Sequence, residues 1–208
     1  MSRTIFKPFG PSVLKVKMPQ ELIKKLNDYT DEKSKENLEG GKLDAGYALA
    51  GNVSQEIYID ENFMTDSGFG KFLYTEVANW ISQTKKKQIK KFQISASWIV
   101  RQYQDEYNPI HMHTGHISGV GYTKVPTNLG STRQKNKPNK NGHLQLIHGS
   151  KSFLSESVFD ILPEVGDFYF FPHYLMHTVY PFKNTNEERR SISFNAYIDQ
   201  DIFNVYGR

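Results

Sequence analysis

Residues 92–101 read Phe-Gln-Ile-Ser-Ala-Ser-Trp-Ile-Val-Arg, a segment in which apolar and polar side chains alternate. Alternation with a period of two is typical of a β-strand with one buried face. Short strands are also predicted over 117–125, 143–148, 157–161, 167–172, 177–181 and 189–198, with Gly, Pro and Asn between several of them. Many short strands with turn residues and no helical period favour a sandwich or barrel.

The residues before this stretch predict helices instead. After a short strand around Leu14–Met18, Pro19 opens a helix with Leu22, Ile23 and Leu26 on one face. The polar segment 30–46 is interpreted as a loop. A second helix, capped by Asp66 or Ser67, is indicated by apolar residues at helical spacing: Phe69, Phe72, Leu73, Val77, Trp80 and Ile81.

Helices followed by strands favour the α+β class over alternating α/β. The length of 208 residues fits one domain. We therefore expect a single domain over 1–208, in which 1–91 is a mostly helical scaffold and 92–200 forms the strand-rich core.

The composition excludes several classes of protein. A hydrophobic fraction of 38% is enough for one core and argues against overall disorder. No apolar run reaches membrane-spanning length, and the N-terminus lacks a secretory signal, so a cytoplasmic location is expected. The absence of cysteine excludes disulfides and iron–sulfur clusters.

The net charge of +4 is concentrated in two basic runs, 85–91 and 133–140. Such runs are usually solvated faces or loops, and the second contains no aromatic residue on which a base could stack. Nucleic acid is therefore not expected as a partner, and the role of the polar loop 127–142 is left open.

All seven histidines lie between residues 111 and 177, in the strand-rich half. Within His111-Met112-His113, the two imidazoles project from the same side of an extended chain and can reach one ion. His177 is the best candidate for a third ligand, because an imidazole beside the apolar segment 168–172 is hard to explain by packing alone.

The strand over 189–198 begins with two arginines. Alternation places Arg189, Ser191, Ser193 and Asn195 on one face, where a guanidinium and a hydroxyl would suit a buried carboxylate. The alternative is that Arg189 and Arg190 are an exposed strand start, bonded to Glu187 and Glu188.

The ordered set of these motifs resembles the Fe(II)/2-oxoglutarate-dependent dioxygenases, and more narrowly the 2-oxoglutarate–Fe(II) oxygenase family common in marine bacteria and phages. The resemblance covers roughly residues 92–198. It is carried by the segments 108–113, 118–122, 125–126, 163–167 and 171–172, by His177 and Pro181, and by 189–195.

The resemblance implies a double-stranded β-helix (a jelly-roll, cupin-like core) with the N-terminal helices packed on one sheet. It implies His111, His113 and His177 as iron ligands, with no further catalytic residue, and Arg189 with Ser191 for the distal carboxylate of 2-oxoglutarate. Tyr103, Asn108 and Tyr122 are implied to line the cosubstrate pocket. His116 would face substrate.

The implied reaction uses Fe(II), 2-oxoglutarate and O₂ to hydroxylate a small-molecule or peptidyl substrate, releasing succinate and carbon dioxide. One departure concerns the facial triad of two histidines and one carboxylate, because His113 occupies the position of the acid. Asp105 or Asp167 could compensate for the missing charge.

Two other classes remain open. One is a three-histidine cupin-type oxygenase that does not use 2-oxoglutarate, and the other is a non-catalytic jelly-roll binding module. Whether the chain forms a homodimer is also left open.

Overall fold

A computed structural model describes residues 3–6, 10–36 and 41–206 of the chain. The helices within these residues are α1 (Gln20–Glu36), α2 (Glu61–Asp66), α3 (Phe69–Lys85) and α4 (Gln200–Phe203), and a short 3₁₀ turn spans Gly46–Ala48. Only α4 follows the strand-rich part of the chain. No helix in the described residues has the length and apolar character needed to cross a bilayer.

The strands form two antiparallel sheets. They are β1 (Arg3–Phe6), β2 (Val13–Lys17), β3 (Gln55–Tyr58), β4 (Phe92–Gln102), β5 (Asn108–His111), β6 (Ile117–Lys124), β7 (Leu144–Ile147), β8 (Val158–Ile161), β9 (Asp167–Pro172), β10 (Met176–Val179) and β11 (Arg189–Ile198). The larger sheet has the order β1-β2-β9-β6-β11-β4-β3, and the smaller sheet has the order β5-β10-β7-β8. Together they form a double-stranded β-helix of the jelly-roll type, with the helices on the larger sheet.

Strand β9 shows how alternation divides the core into two layers. Phe168 and Phe170 belong to the core formed with the helices, whereas Tyr169 and Phe171 belong to the core formed with the smaller sheet. This follows from the period of two in a strand, which sends successive side chains to opposite faces. The larger sheet is therefore buried on both faces along β9.

The helical layer is held to the larger sheet by aromatic packing. Phe72 of α3 contacts Phe168 edge-on, with 5.6 Å between ring centroids, and Phe69 lies 6.2 Å from the same ring. Burying each such side chain contributes roughly 1.5–3 kcal/mol. This layer fixes the outer face of the sheet and leaves its inner face to build a cavity.

Two glycines in β6 allow this close packing. A Cβ on Gly121 would approach Phe168 more closely than 3.0 Å, and one on Gly119 would meet Phe194, Phe168 and the backbone of Tyr169 at similarly short range. The backbone of β6 is therefore in direct contact with the aromatic layer under the helices.

The seven strands predicted from residue 92 onward are confirmed, and so is the short strand before Pro19. The loop expected over 30–46 is wrong for its first part, because α1 continues to Glu36. Tyr29 stabilises this extension: its ring centroid lies 4.1 Å from that of Phe63, and its hydroxyl donates to Asp60 Oδ2 at 2.8 Å. Both partners belong to the α2 region, which the sequence pattern does not indicate.

The start of α3 also differs from expectation. Its N-cap residue is Gly68, with φ of +81°, and not Asp66 or Ser67. Ser67 still contributes, because its hydroxyl accepts a hydrogen bond from Phe69 N at 3.1 Å. Strands β1 and β3 add to the larger sheet from the first part of the chain, and β5 adds to the smaller one.

Candidate active site

A cavity of about 170 Å³ lies between the inner faces of the two sheets. The larger sheet contributes side chains from β3, β4, β6, β9 and β11, and the smaller sheet contributes side chains from β5, β7 and β10. His111, His113, His177, Arg189 and Ser191 all line this one space. The structure thus brings together residues that are up to 80 positions apart in sequence.

Pairing between β5 and β10 assembles the histidine cluster. His111 and His177 are directly opposite each other in the antiparallel register, and their ring centroids are 4.2 Å apart. His113, two residues beyond His111, lies 5.0 Å from it and 4.8 Å from His177. One ring nitrogen from each residue lies within 4.8 Å of the others, so the three could hold one metal ion.

Backbone carbonyls orient two of these rings. His111 Nδ1 is 2.7 Å from the carbonyl of Pro109, and His177 Nδ1 is 2.9 Å from the carbonyl of Leu175. A carbonyl only accepts, so Nδ1 must carry the proton and Nε2 keeps its lone pair. This is the arrangement in which an imidazole is ready to ligate through Nε2.

The cluster is also kept uncharged. Burial lowers the pKa of His113 to about 3, with the neighbouring histidines adding to the effect, and it lowers the pKa of His177 to about 4. Burial lowers the pKa of His111 as well. The rings are therefore neutral at neutral pH, which is the protonation state that metal binding requires.

Arg189 is a buried cation with unused donors. Its side chain is at the start of β11, and only 1% of the residue is exposed. Nη1 donates to Gln102 Oε1 at 2.8 Å, whereas Nε and Nη2 are buried without a hydrogen-bond partner. A buried guanidinium with two free N–H groups is costly unless an anion with several acceptors joins it.

Tyr122 lies against this guanidinium. Its ring centroid is 5.0 Å from Arg189 Cζ, and its hydroxyl is a second buried group without a partner. Ser191 is opposite Tyr122 in the register between β11 and β6, and it faces the same cavity. Arg189, Tyr122 and Ser191 could therefore bind one carboxylate together.

The alternative interpretation of an exposed strand start is wrong, because Arg190 is as fully buried as Arg189, and only its expected pairing with Glu188 is found, for Arg190 alone. Arg190 faces the other side of the sheet, where Nε donates to Glu188 Oε1 at 2.8 Å and Nη2 to Asp31 Oδ1 at 2.6 Å. Because successive residues of a strand point to opposite faces, only Arg189 can enter the cavity.

Of the three residues expected to line the cosubstrate pocket, Asn108 and Tyr122 line the cavity, whereas Tyr103 lies outside it. The Tyr103 hydroxyl accepts a hydrogen bond from Arg101 Nη2 at 2.7 Å, on the surface that adjoins the cavity. Tyr103 follows the end of β4, and this places it beyond the cavity wall.

His116 does not face the cavity. Its ring stacks on Phe203 of α4 at 3.7 Å, and its Nδ1 accepts a hydrogen bond from Ile198 N at 3.1 Å. His173 is nearer the cluster, but its ring contacts the backbone there: its Nδ1 lies 3.0 Å from the carbonyl oxygen of His113. Both residues have packing roles that the histidine pattern could not distinguish from ligation.

The two acids suggested to compensate the metal charge are elsewhere. Asp167 is buried and paired with Lys15 at 2.7 Å and with Lys17 at 2.5 Å, whereas Asp105 is exposed and 3.9 Å from Lys183. The acid in the cavity is Glu56 of β3, which the sequence pattern does not single out. The one feature of the sequence that could have indicated Glu56 is its place before Ile57, in a short segment where polar and apolar residues alternate.

An antiparallel double-stranded β-helix with a three-histidine cluster and a buried arginine in one cavity is the architecture of a non-haem metal oxygenase. Comparison with known proteins agrees: residues 96–195 match the family model described as "Putative 2OG-Fe(II) oxygenase". This match spans 100 of the 208 residues, and together with the site it makes the chain similar to the 2OG-Fe(II) oxygenases, which are dioxygenases of the oxidoreductase class with Fe(II) and 2-oxoglutarate as cofactors. No curated protein matches the chain in sequence.

Solved structures with the same fold include two prolyl hydroxylases and HygX. A prolyl-4-hydroxylase from Pseudomonas putida is 15% identical, with a TM-score of 0.57, and the match covers 89% of this chain and 91% of that chain. HygX from Streptomyces hygroscopicus, with nickel and 2-oxoglutarate bound, is 10% identical, with a TM-score of 0.55 and coverages of 89% and 81%. A Trichoplax adhaerens prolyl hydroxylase, in complex with a hypoxia inducible factor peptide fragment, is 14% identical, with a TM-score of 0.56 and coverages of 94% and 87%.

The cavity of this chain fits both cofactors of the family. Three neutral imidazoles suit a divalent iron ion, and the unpartnered N–H groups of Arg189 with the unpartnered Tyr122 hydroxyl suit a carboxylate. The fit rests on buried donors that, among the described residues, have no interaction other than the contact between Arg189 and Tyr122 themselves.

Proposed function

We propose that the chain hydroxylates a peptidyl or small-molecule substrate and releases succinate and carbon dioxide from 2-oxoglutarate. In this proposal His111, His113 and His177 hold Fe(II), while Arg189, with Ser191 and Tyr122, holds the distal carboxylate of 2-oxoglutarate. The observation that carries it is one cavity containing both a neutral three-histidine cluster and a buried guanidinium with free donors.

When bound, Fe(II) and 2-oxoglutarate supply oxygen activation and the oxidising equivalents for the hydroxylation. The chain's residues supply position. The carbonyls of Pro109 and Leu175 hold the His111 and His177 rings with Nε2 free, and Gln102 holds one edge of the Arg189 guanidinium. Such preorganisation places cosubstrate and metal without reorganising the site.

Gln102 is itself fixed in orientation. Its Nε2 donates to the carbonyl of Glu106 at 2.6 Å, so its Oε1 must face Arg189. This leaves Nε and Nη2 of Arg189 as the donors directed to an incoming carboxylate. Arg189 therefore has a defined binding edge.

The apolar walls of the cavity restrict water. Trp98, Val100, Leu144, Phe171 and Val179 line it together with the polar groups. A low local dielectric strengthens the attraction between Arg189 and a carboxylate and limits side reactions.

A peptidyl substrate is supported by two features. The Trichoplax adhaerens enzyme with this fold binds a peptide fragment. In the present chain, Ile110 and Met112 flank His111 and are 62% and 63% exposed, which offers apolar surface beside the site. We further infer that residues 1–208 act as one oxygenase domain, because β1, β2 and β3 complete the larger sheet.

The test is an anaerobic titration of the purified protein with Fe(II) and 2-oxoglutarate, followed by the visible absorption band of their chelate. A saturable band that requires both compounds supports the proposal, and succinate release under air with candidate peptides then identifies substrate. Metal binding without 2-oxoglutarate binding would instead indicate a three-histidine cupin-type oxygenase. Loss of both would indicate a binding module.

A further inference from the structure

Glu56 is a buried acid in the cavity that the proposed chemistry does not use. It is 3% exposed and its side chain lines the cavity from β3. Among residues 3–6, 10–36 and 41–206, no hydrogen bond or ion pair to its carboxyl group is found. A carboxylate in a residue this deeply buried is costly to keep charged unless a ligand or solvent completes its hydrogen bonds.

A second acceptor without a donor is beside it. Asn108 Oδ1 is buried and unpartnered. Both Asn108 Oδ1 and Glu56 Oε1 lie within 3.0 Å of the position that a Cβ on Gly51 would occupy, so the two oxygens are neighbours. The glycine at position 51 lets the loop pass close to both side-chain ends, and the loop is held there by the backbone bridge between Asn52 and Tyr107.

The surroundings are negative. Burial, together with the charge of Asp44, raises the pKa of Glu56 to about 7. Arg101 adjoins the same surface but is engaged by Glu188 at 2.8 Å and by Gln55 at 2.9 Å. Two acceptors and a nearby carboxylate thus lie together, and no cation among the described residues forms an ion pair with Glu56, since Arg189 of the same cavity bonds Gln102 instead.

Glu56 is outside the ligand set of the metal. Among the residues that the structure describes, the group that could hold an ion comprises His111, His113 and His177. In the register of the larger sheet Glu56 is opposite Val100, which is opposite Ser191. Two strand spacings separate Glu56 from Ser191 by roughly 10 Å. The two residues can therefore contact different ends of what is bound in the cavity.

We propose that Glu56 and Asn108 form a substrate subsite that binds a cationic nitrogen, an ammonium or guanidinium group. This inference rests on the proposed function for its chemistry, but binding at the subsite does not require turnover. The substrate would carry an amine or guanidine at the end away from the Arg189 carboxylate site. A carboxylate beside an amide oxygen supplies the two acceptors that such N–H donors need.

The experiment is calorimetric titration of the protein with agmatine and, as a neutral comparison, n-butanol, each with and without Zn(II) and 2-oxoglutarate. The wild-type protein is expected to bind agmatine saturably and n-butanol at least about tenfold more weakly. Equal binding of the two compounds would overturn the proposal without any variant being needed.

The variants are Glu56→Gln and, as the matched control, Glu21→Gln, whose acid is 83% exposed on α1. Glu56→Gln should weaken agmatine binding about tenfold or more while 2-oxoglutarate binding is retained, and Glu21→Gln should change neither. Unchanged agmatine affinity in Glu56→Gln would mean that Glu56 only packs against Asn108, and would overturn the subsite. Failure of 2-oxoglutarate to bind the wild type and both variants would instead reject the proposed function. The two outcomes are distinguishable because agmatine binding is measured in a separate titration.

Discussion

The Arg189 guanidinium lies over the ring of Tyr122 in the cavity, with its carbon 5.0 Å from the ring centroid and both side chains fully buried. The face of the ring stabilises the cation. Because Gln102 occupies only Nη1, the N–H groups at Nε and Nη2 of Arg189 can bind a carboxylate.

Replacing Arg189 with Met should weaken 2-oxoglutarate binding strongly and leave the metal bound. Two charge-assisted hydrogen bonds are worth about 3 kcal/mol together, so the affinity should fall about 100-fold. Calorimetric titration with 2-oxoglutarate in the presence of Zn(II) measures the loss. Arg133→Met, at an exposed arginine of the 127–142 loop, is the control and should bind normally. A three-histidine oxygenase independent of 2-oxoglutarate would retain activity in Arg189→Met.

His177→Ala should remove the bound metal. His177 is opposite His111 in the β5–β10 register, so its loss leaves two ligands and an open side. Loss of a residue that only orients a metal ligand typically lowers the affinity for the metal 10–100-fold. Removal of a ligand itself should therefore lower that affinity about 100-fold or more. The loss of metal is tested by measuring the metal content of the purified protein with elemental mass spectrometry. His148→Ala, outside the cavity, should retain full metal content, and equal content in both variants would remove His177 from the ligand set.

Gly121→Ala should destabilise the fold without touching the site. The added methyl group would overlap the Phe168 ring, which is packed between β6 and the helices and cannot move freely. Overpacking of this kind costs about 1–3 kcal/mol or more. Urea denaturation measures the difference, with Gly10→Ala as control because its Cβ would make only an ordinary contact at 3.4 Å. Equal midpoints for the two variants would show that the sheet can shift to accept the methyl group.

Glu56→Gln should remove a pH dependence of stability. The pKa of Glu56 rises from 4.5 to about 7 on folding, mainly through burial, so the folded state binds the proton more tightly. The free energy of unfolding of the wild-type protein should therefore fall as the pH rises from about 4.5 to above 7. The full shift is worth about 3 kcal/mol.

Denaturation of both proteins at pH 5 and pH 8 gives the comparison. Glu56→Gln should gain stability relative to the wild type at pH 8, since the buried charge is absent. Contributions from other titrating groups cancel in the difference between the two proteins. A constant difference at both pH values would show that Glu56 does not titrate in this range.

The sequence determined the secondary structure of the second half of the chain. Alternation in residues 92–101 and 189–198 sets which side chains share a face, because the period of a strand is two. This local rule is sufficient to place Arg189 with Ser191 and to give His111 and His113 a common side. The helical period of residues 69–81 likewise sets the face that packs on the sheet.

Only the tertiary structure decided which strands meet. The pairing of β5 with β10 brings His177 to His111, and the pairing of β3 with β4 brings Glu56 into the cavity. Neither pairing is encoded by local periodicity, since register between distant strands depends on the packing of the whole core. The same packing separates the ligand histidines from His116 and buries Arg189 while Arg190 turns to Asp31, because a sheet covered on both faces gives adjacent residues different surroundings.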